Sequence, residues 1–142
     1  MTIAEQAIPN DNFEQIQYKI SFERLESLGR SAIFLLVARL PDGAPSVNSK
    51  PDYSVKPQKL VDEIAKHSKG QQNYIHNDMP LQEMVFRTLL GKRNRPMSLE
   101  DIHHELTEKW STPVRPITIS TIGLKRVIDT DTYYGFIEAL YV

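Results

Sequence analysis

Proline limits what this chain can fold into more than any other residue does. Nine prolines, at positions 9, 41, 45, 51, 57, 80, 96, 113 and 116, punctuate its 142 residues. Each lacks a backbone N–H and biases the residue before it away from helix, so regular structure is confined to the windows between them. Four of the nine crowd into residues 41–57, which therefore read as an extended, proline-rich surface loop opened by the turn Pro41-Asp42-Gly43. A loop of that length is either an ordinary connection or a binding element. Pro113 and Pro116 likewise forbid continuous helix across 111–117. Pro57 and Pro80 instead stand where helices open, in a first turn whose N–H groups have no intrahelical partner.

Between the prolines, apolar residues recur at helical spacing. The stretch Pro57–Lys69 puts Leu60, Val61, Ile64 and Ala65 on one face and can end at Gly70. Asp78 is placed to cap the next helix, with Leu81, Met84, Val85 and Leu89 facing inward and Gly91 as a stop. The polar turn Lys92-Arg93-Asn94-Arg95-Pro96 follows. Ser98 caps a further helix, with Asp101 three residues on as in a capping box. Leu99, Ile102, Leu106 and Trp110 share its face, His103 falls inside that stripe, and His104 points away. A third, short helix is expected from Thr118. Ile119, Ile122 and Val127 lie on one side of it, Leu124 and Ile128 widen the apolar arc, and Thr118, Thr121, Lys125 and Asp129 form a polar strip. Asp129–Thr132 reads as a turn, and Tyr133, Tyr134, Phe136, Ile137 and Tyr141 favour strand. Arg126–Ile128 suit either the last helical turn or the first strand of a hairpin. The expected core of this half comprises Val85, Leu89, Leu99, Ile102, Leu106, Trp110, Ile119, Ile122 and Ile137.

The other half is less determinate. Residues 1–12 are polar and aperiodic, as a flexible arm would be. In Phe13–Phe22, Ile16, Tyr18, Ile20 and Phe22 alternate with polar residues as in a strand, yet Phe13, Ile16 and Ile20 also fit a helix. Ser21 can cap a helix that ends at Gly29 or runs on through Ile33, Leu36 and Leu40. The chain thus divides into an arm (1–12), a helical or α+β segment (13–77) with the loop 41–57, and a C-terminal unit (78–142). The fold class is mainly α with a small β component (α+β).

In element order, and in the pattern from Ile117 to Arg126, residues 79–141 resemble the winged helix-turn-helix superfamily. The resemblance covers a little under half of the chain. It implies a C-terminal winged-helix module packed on the N-terminal segment, with the third helix as a recognition helix in the DNA major groove. Thr118 and Thr121 would then contact phosphate or base edges, and Lys125 phosphate or guanine. A wing and the turn carrying Lys92, Arg93 and Arg95 would touch backbone, with Arg115 on the same positive face. The implied function is DNA binding in transcriptional regulation, as a homodimer in which two weak half-sites add. The alternative is a protein-interaction adaptor whose winged helix and proline-rich loop dock a partner protein.

Composition trims the other classes. There is no cysteine, which excludes disulfides, thiol catalysis and cysteine-based zinc sites. No phosphate-binding glycine loop and no G-x-S-x-G elbow is present. Glu100, His104 and Glu108 recur at i, i+4 and i+8, but without a second histidine at ligand spacing they read as a solvated, charged face. The expectation is no catalysis, no cofactor and no metal. The formal net charge of −1 restricts any DNA contact to few phosphates. No basic n-region precedes an apolar run, and the longest apolar run, Ala32–Ala38, is far too short to span a bilayer. A soluble cytoplasmic protein, with no membrane partner, is expected.

Overall fold

A computed structural model describes residues 12–48, 50, 52–71 and 73–139. The expected arm, residues 1–12, falls outside this range except for Asn12, as does Tyr141. After a 3-10 turn at Phe13–Gln15, strand β1 spans Gln17–Ile20, helix α1 Phe22–Ser27 and α2 Ala32–Val37. Helix α3 covers Pro57–His67 and α4 Leu81–Gly91; strand β2 is Met97–Ser98. Helix α5 runs Leu99–His104 and continues as a π-helical turn, Glu105–Lys109; α6 is Thr121–Thr130 and β3 Phe136–Glu138. The fold is of the mixed α+β class. No helix among the described residues is long and apolar enough to cross a membrane.

The sheet is antiparallel with order β2-β1-β3, so its central strand comes from the N-terminal segment. Tyr18 pairs with Met97 on one side and Glu138 on the other. Of the ambiguous stretch 13–22, residues 17–20 are strand, while Phe13–Gln15 form the 3-10 turn and Phe22 opens α1: Tyr18 and Ile20 are buried, and the intervening Lys19 is not. Pro96 has no N–H, so β2 cannot extend the ladder beyond Met97. Asn94 takes over. Its side-chain oxygen accepts from the Ile20 N–H and its amide donates to the Ile20 carbonyl, both at 2.8 Å. The side chain thereby stands in for a missing strand residue. Asn94 adopts φ +57°, a left-handed conformation that asparagine tolerates better than most residues.

Caps follow the sequence closely. Ser21, Ser31, Ser98 and Ser120 each accept from the N–H three residues on, starting α1, α2, α5 and α6. Gly29, at φ +81°, separates α1 from α2, so the shorter of the two readings holds. Two helix starts differ from expectation. Helix α4 begins at Leu81 with Pro80 as its N-cap; Asp78 instead contacts the His76 ring. Helix α6 begins at Thr121, because Ser120 rather than Thr118 holds the Gly123 N–H at 3.1 Å. Gly91 lies within α4 rather than beyond it. The proline-rich loop carries one 3-10 turn, Pro45–Asn48, and otherwise turns and bends among its described residues.

One buried cluster runs from Tyr18 to Phe136, across the boundary drawn after residue 77. Val85, Leu89, Leu99, Ile102 and Leu106 are fully buried within it. Four expected members sit differently. Trp110 and Ile119 are only partly buried against the cluster, Ile137 is half-buried, and Ile122 is 40 % exposed. The later start of α6 makes Leu124 and Ile128 its inward residues. Arg126–Ile128 are helical, so no wing hairpin starts there, and β3 pairs with β1 instead. At the entry to β3, Gly135 (φ +77°) lies against α1: a Cβ there would stand 2.8 Å from the Leu25 side chain and 3.0 Å from the Ser21 carbonyl.

Two substitutions check this account. Asn94→Ala leaves both Ile20 backbone groups without partners and is expected to cost about 3 kcal/mol in a denaturant titration. Ser98→Ala removes one cap and is expected to cost about 1 kcal/mol, with Ser98→Asp recovering most of it.

Candidate functional site

Helix α6 is fixed from two sides. On one, His103 Nε2–H donates to the Ile119 carbonyl at 2.7 Å, pinning the segment that leads into the helix. On the other, the Tyr18 hydroxyl of the central strand donates to Asp129 at 2.9 Å. Burial first, then the bond to Asp129, raises the Tyr18 phenol above its ordinary range, so it stays a donor. Lys125 also reaches Asp129, at 2.6 Å along the same helix. Lys125 is therefore folded down onto α6, and only a fifth of its side chain is exposed. The exposed residues from 118 to 130 are Thr118, Ser120, Ile122, Arg126, Asp129 and Thr130, with Thr121 half-buried at the helix start. Arg126 is an exposed cation of α6.

The basic turn owes its outward display to backbone geometry. Arg93 and Asn94 both have positive φ, which turns Asn94 inward onto β1 and leaves the flanking cations at the surface. Arg93 bonds Asp62 of α3 at 3.3 Å. Lys92 and Arg95 are exposed and make no ion pair among the described residues. These cations border a depression with Asp101, His104 and Glu105 of α5 and its π turn. At about 100° per residue, Asp101 lies about 160° and His104 about 100° around α5 from His103. The basic turn and α6 thus flank α5 on different sides, and the two candidate clusters do not merge into one patch. Arg115 lies exposed in the α5–α6 connection, with its carbonyl accepting from Asn77 at 3.1 Å. Among the described residues no three His, Asp or Glu side chains are grouped to hold a metal ion.

One charge cluster was not foreseen from the sequence. Glu83, on the inner face of α4, accepts from Arg39 through both carboxylate oxygens at 2.8 Å. It also accepts from Arg87 at 2.7 Å and from the Tyr134 hydroxyl at 2.8 Å. Arg39 lies over the Phe86 ring and Arg87 over Tyr74, whose hydroxyl donates to the Arg39 carbonyl at 2.7 Å. Burial alone would raise the Glu83 carboxyl; the donors from Arg39, Arg87 and Tyr134 overcome it and bring the group down to about 2. Burial, then Glu83, pushes Tyr134 up to about 12. A carboxylate held this way is a fixed anion rather than a proton acceptor near neutrality. The i,i+4 spacing of Glu83 and Arg87 was legible, but nothing in sequence brings Arg39 or Tyr134 to it.

Set against protein-family models, curated proteins and solved structures, the chain matches none of them. Its candidate sites rest on the geometry alone.

The Glu83 cluster sets an acid limit. Its folded value lies below the ordinary 4.5, so its stabilisation is complete above about pH 4.5 and is lost as pH falls towards 2. The loss is expected to be on the order of 3 kcal/mol. Urea titrations across that range check it. Glu83→Gln, which strands two arginines, is expected to cost roughly 3–5 kcal/mol at neutral pH and to flatten the acid limb.

Proposed function

We propose that this protein binds duplex DNA as a transcriptional regulator, with α6 as its reading element. The observation that carries this is the mounting of α6. Its buried side chains are confined to Leu124 and Ile128, it is pinned by His103 and Tyr18, and it displays Arg126, with Thr121 half-buried at its start and Thr118 exposed in the segment before it. A rigidly backed short helix with a hydroxyl- and arginine-bearing outer strip can contact base edges and phosphates. The order α4, β2, α5, α6, β3 supports a winged-helix reading in which the central strand is supplied by β1. Backbone contacts fall to Arg126, Arg115 and the turn carrying Lys92 and Arg95 rather than to a wing, and Lys125 serves α6 by holding Asp129. So few free cations give modest non-specific affinity, which a homodimer would compensate.

A second reading, a protein-interaction adaptor, is favoured by a different observation. Phe34 of α2 and Tyr53 of the proline-rich loop are 62 % and 58 % exposed, with Val47 exposed beside them in sequence. Large apolar side chains so displayed are common at protein contacts.

Fluorescence anisotropy with a labelled random duplex, across a salt series, separates the two. Binding is expected, with Arg126→Ala and Lys92→Ala/Arg95→Ala each lowering the magnitude of the salt slope by about 1 per lost phosphate contact. Thr121→Ala is expected to relax base preference by roughly 1–3 kcal/mol at one position. Absence of binding even at low salt overturns the DNA reading in favour of the adaptor.

A further inference from the structure

A groove of about 580 Å³ lies between the end of α3, helix α4 and the π turn that follows α5. Tyr74, Ile75 and Trp110 give it apolar, largely aromatic walls. Its cations divide into two kinds. Arg87 and Lys109 are committed to Glu83 and Glu105. Lys69 and Lys92, by contrast, make no ion pair among the described residues. Both stand near helix C-termini, where each macrodipole contributes roughly half a negative charge. Two full positive charges outweigh two such halves by about one unit, so the mouth of the groove stays cationic.

The floor is unusual. Gly91 lines the groove from within the last turn of α4, where glycine costs a helix roughly 1 kcal/mol relative to alanine. Its φ is not positive, and no atom lies within 4 Å of where a Cβ would stand. Neither backbone conformation nor packing in the fold calls for glycine there, whereas close approach of a ligand to the helix does. Beside it the Trp110 indole N–H is buried with no hydrogen-bond partner among the described residues. It follows a π-helical turn, a rare form that is frequently found at functional sites.

We propose that this groove binds a small aromatic anion, a carboxylate or phosphate on a flat ring. The ring lies over Gly91 between Tyr74 and Trp110, and the anionic group meets Lys69 and Lys92. The site is separate from α6 and does not depend on the DNA reading, since its test contains no nucleic acid.

Trp110 is the single tryptophan and reports on its own groove. The full chain is titrated with benzoate, phenyl phosphate and, as the uncharged control, benzyl alcohol, while tryptophan emission is followed. A saturable change is expected with at least one anion, which identifies the preferred group, and a much weaker response with benzyl alcohol. Lys69→Gln/Lys92→Gln is expected to weaken the anion about tenfold or more. Gly91→Leu is expected to abolish the response with no loss of melting temperature. The surface double variant keeps the test decisive should Gly91→Leu misfold. No saturable response to either anion, equal affinity for benzyl alcohol, or an unchanged affinity in the double variant overturns the proposal.

Discussion

The carboxamide of Asn94 bonding both backbone groups of Ile20 is the contact on which the architecture turns. Pro96 bounds the two-residue β2 at its start, and β1 would otherwise leave a buried N–H and carbonyl unpaired at its last residue, Ile20. Asn94 satisfies both at once, which neither a hydrophobic residue nor a carboxylate can do. With β1 secured, the N-terminal segment becomes the middle of the sheet, and the chain closes around a core shared by both halves. The same turn sends Lys92 and Arg95 to the surface. A structural clamp and a basic display are thus two faces of one loop.

A second tie crosses the molecule at Glu83. Burying a carboxylate is costly unless it is fully bonded, and here two guanidiniums and a phenol supply the bonds. The donors come from the turn after α2, from α4 itself and from the bend before β3, so the cluster locks elements that the sheet alone does not join. The stacked Tyr134 and Phe136 rings and the tilted Phe86 ring pack beside it, which keeps water from screening the pairs.

These ties redistribute the cations on which any account of binding depends. Arg39, Arg87, Arg93 and Lys125 each have a carboxylate partner. Around α5 the outward cations lie on two flanks: Arg126 with the α6 hydroxyls on one, and Lys92 and Arg95 near Lys69 on the other. A near-neutral chain with its free charge split in this way is suited to two modest contacts rather than one strongly basic surface.

The sequence by itself determined the local features. Prolines bounded the windows, Ser98 and Ser21 announced their helices, and the stripes through Val85, Leu89, Leu99, Ile102 and Leu106 marked the core, because caps and helical periodicity act over three or four residues. The tertiary structure alone decided the rest. Whether residues 17–20 are strand depended on Met97 and Phe136, far away in the chain. The shift of α6 to Thr121 depended on which of several hydroxyls met an N–H, and that turned Ile122 outward and Leu124 inward. Lys125 looked free because its helical projection showed a polar strip, yet Asp129 on the same strip claimed it, itself positioned by Tyr18. In sequence Glu83 is distinguished only by Arg87 four residues on. Only the approach of Arg39 and Tyr134, 44 and 51 residues away, made it a buried anion, and such contacts have no local signature because nothing short-range fixes which distant partner arrives.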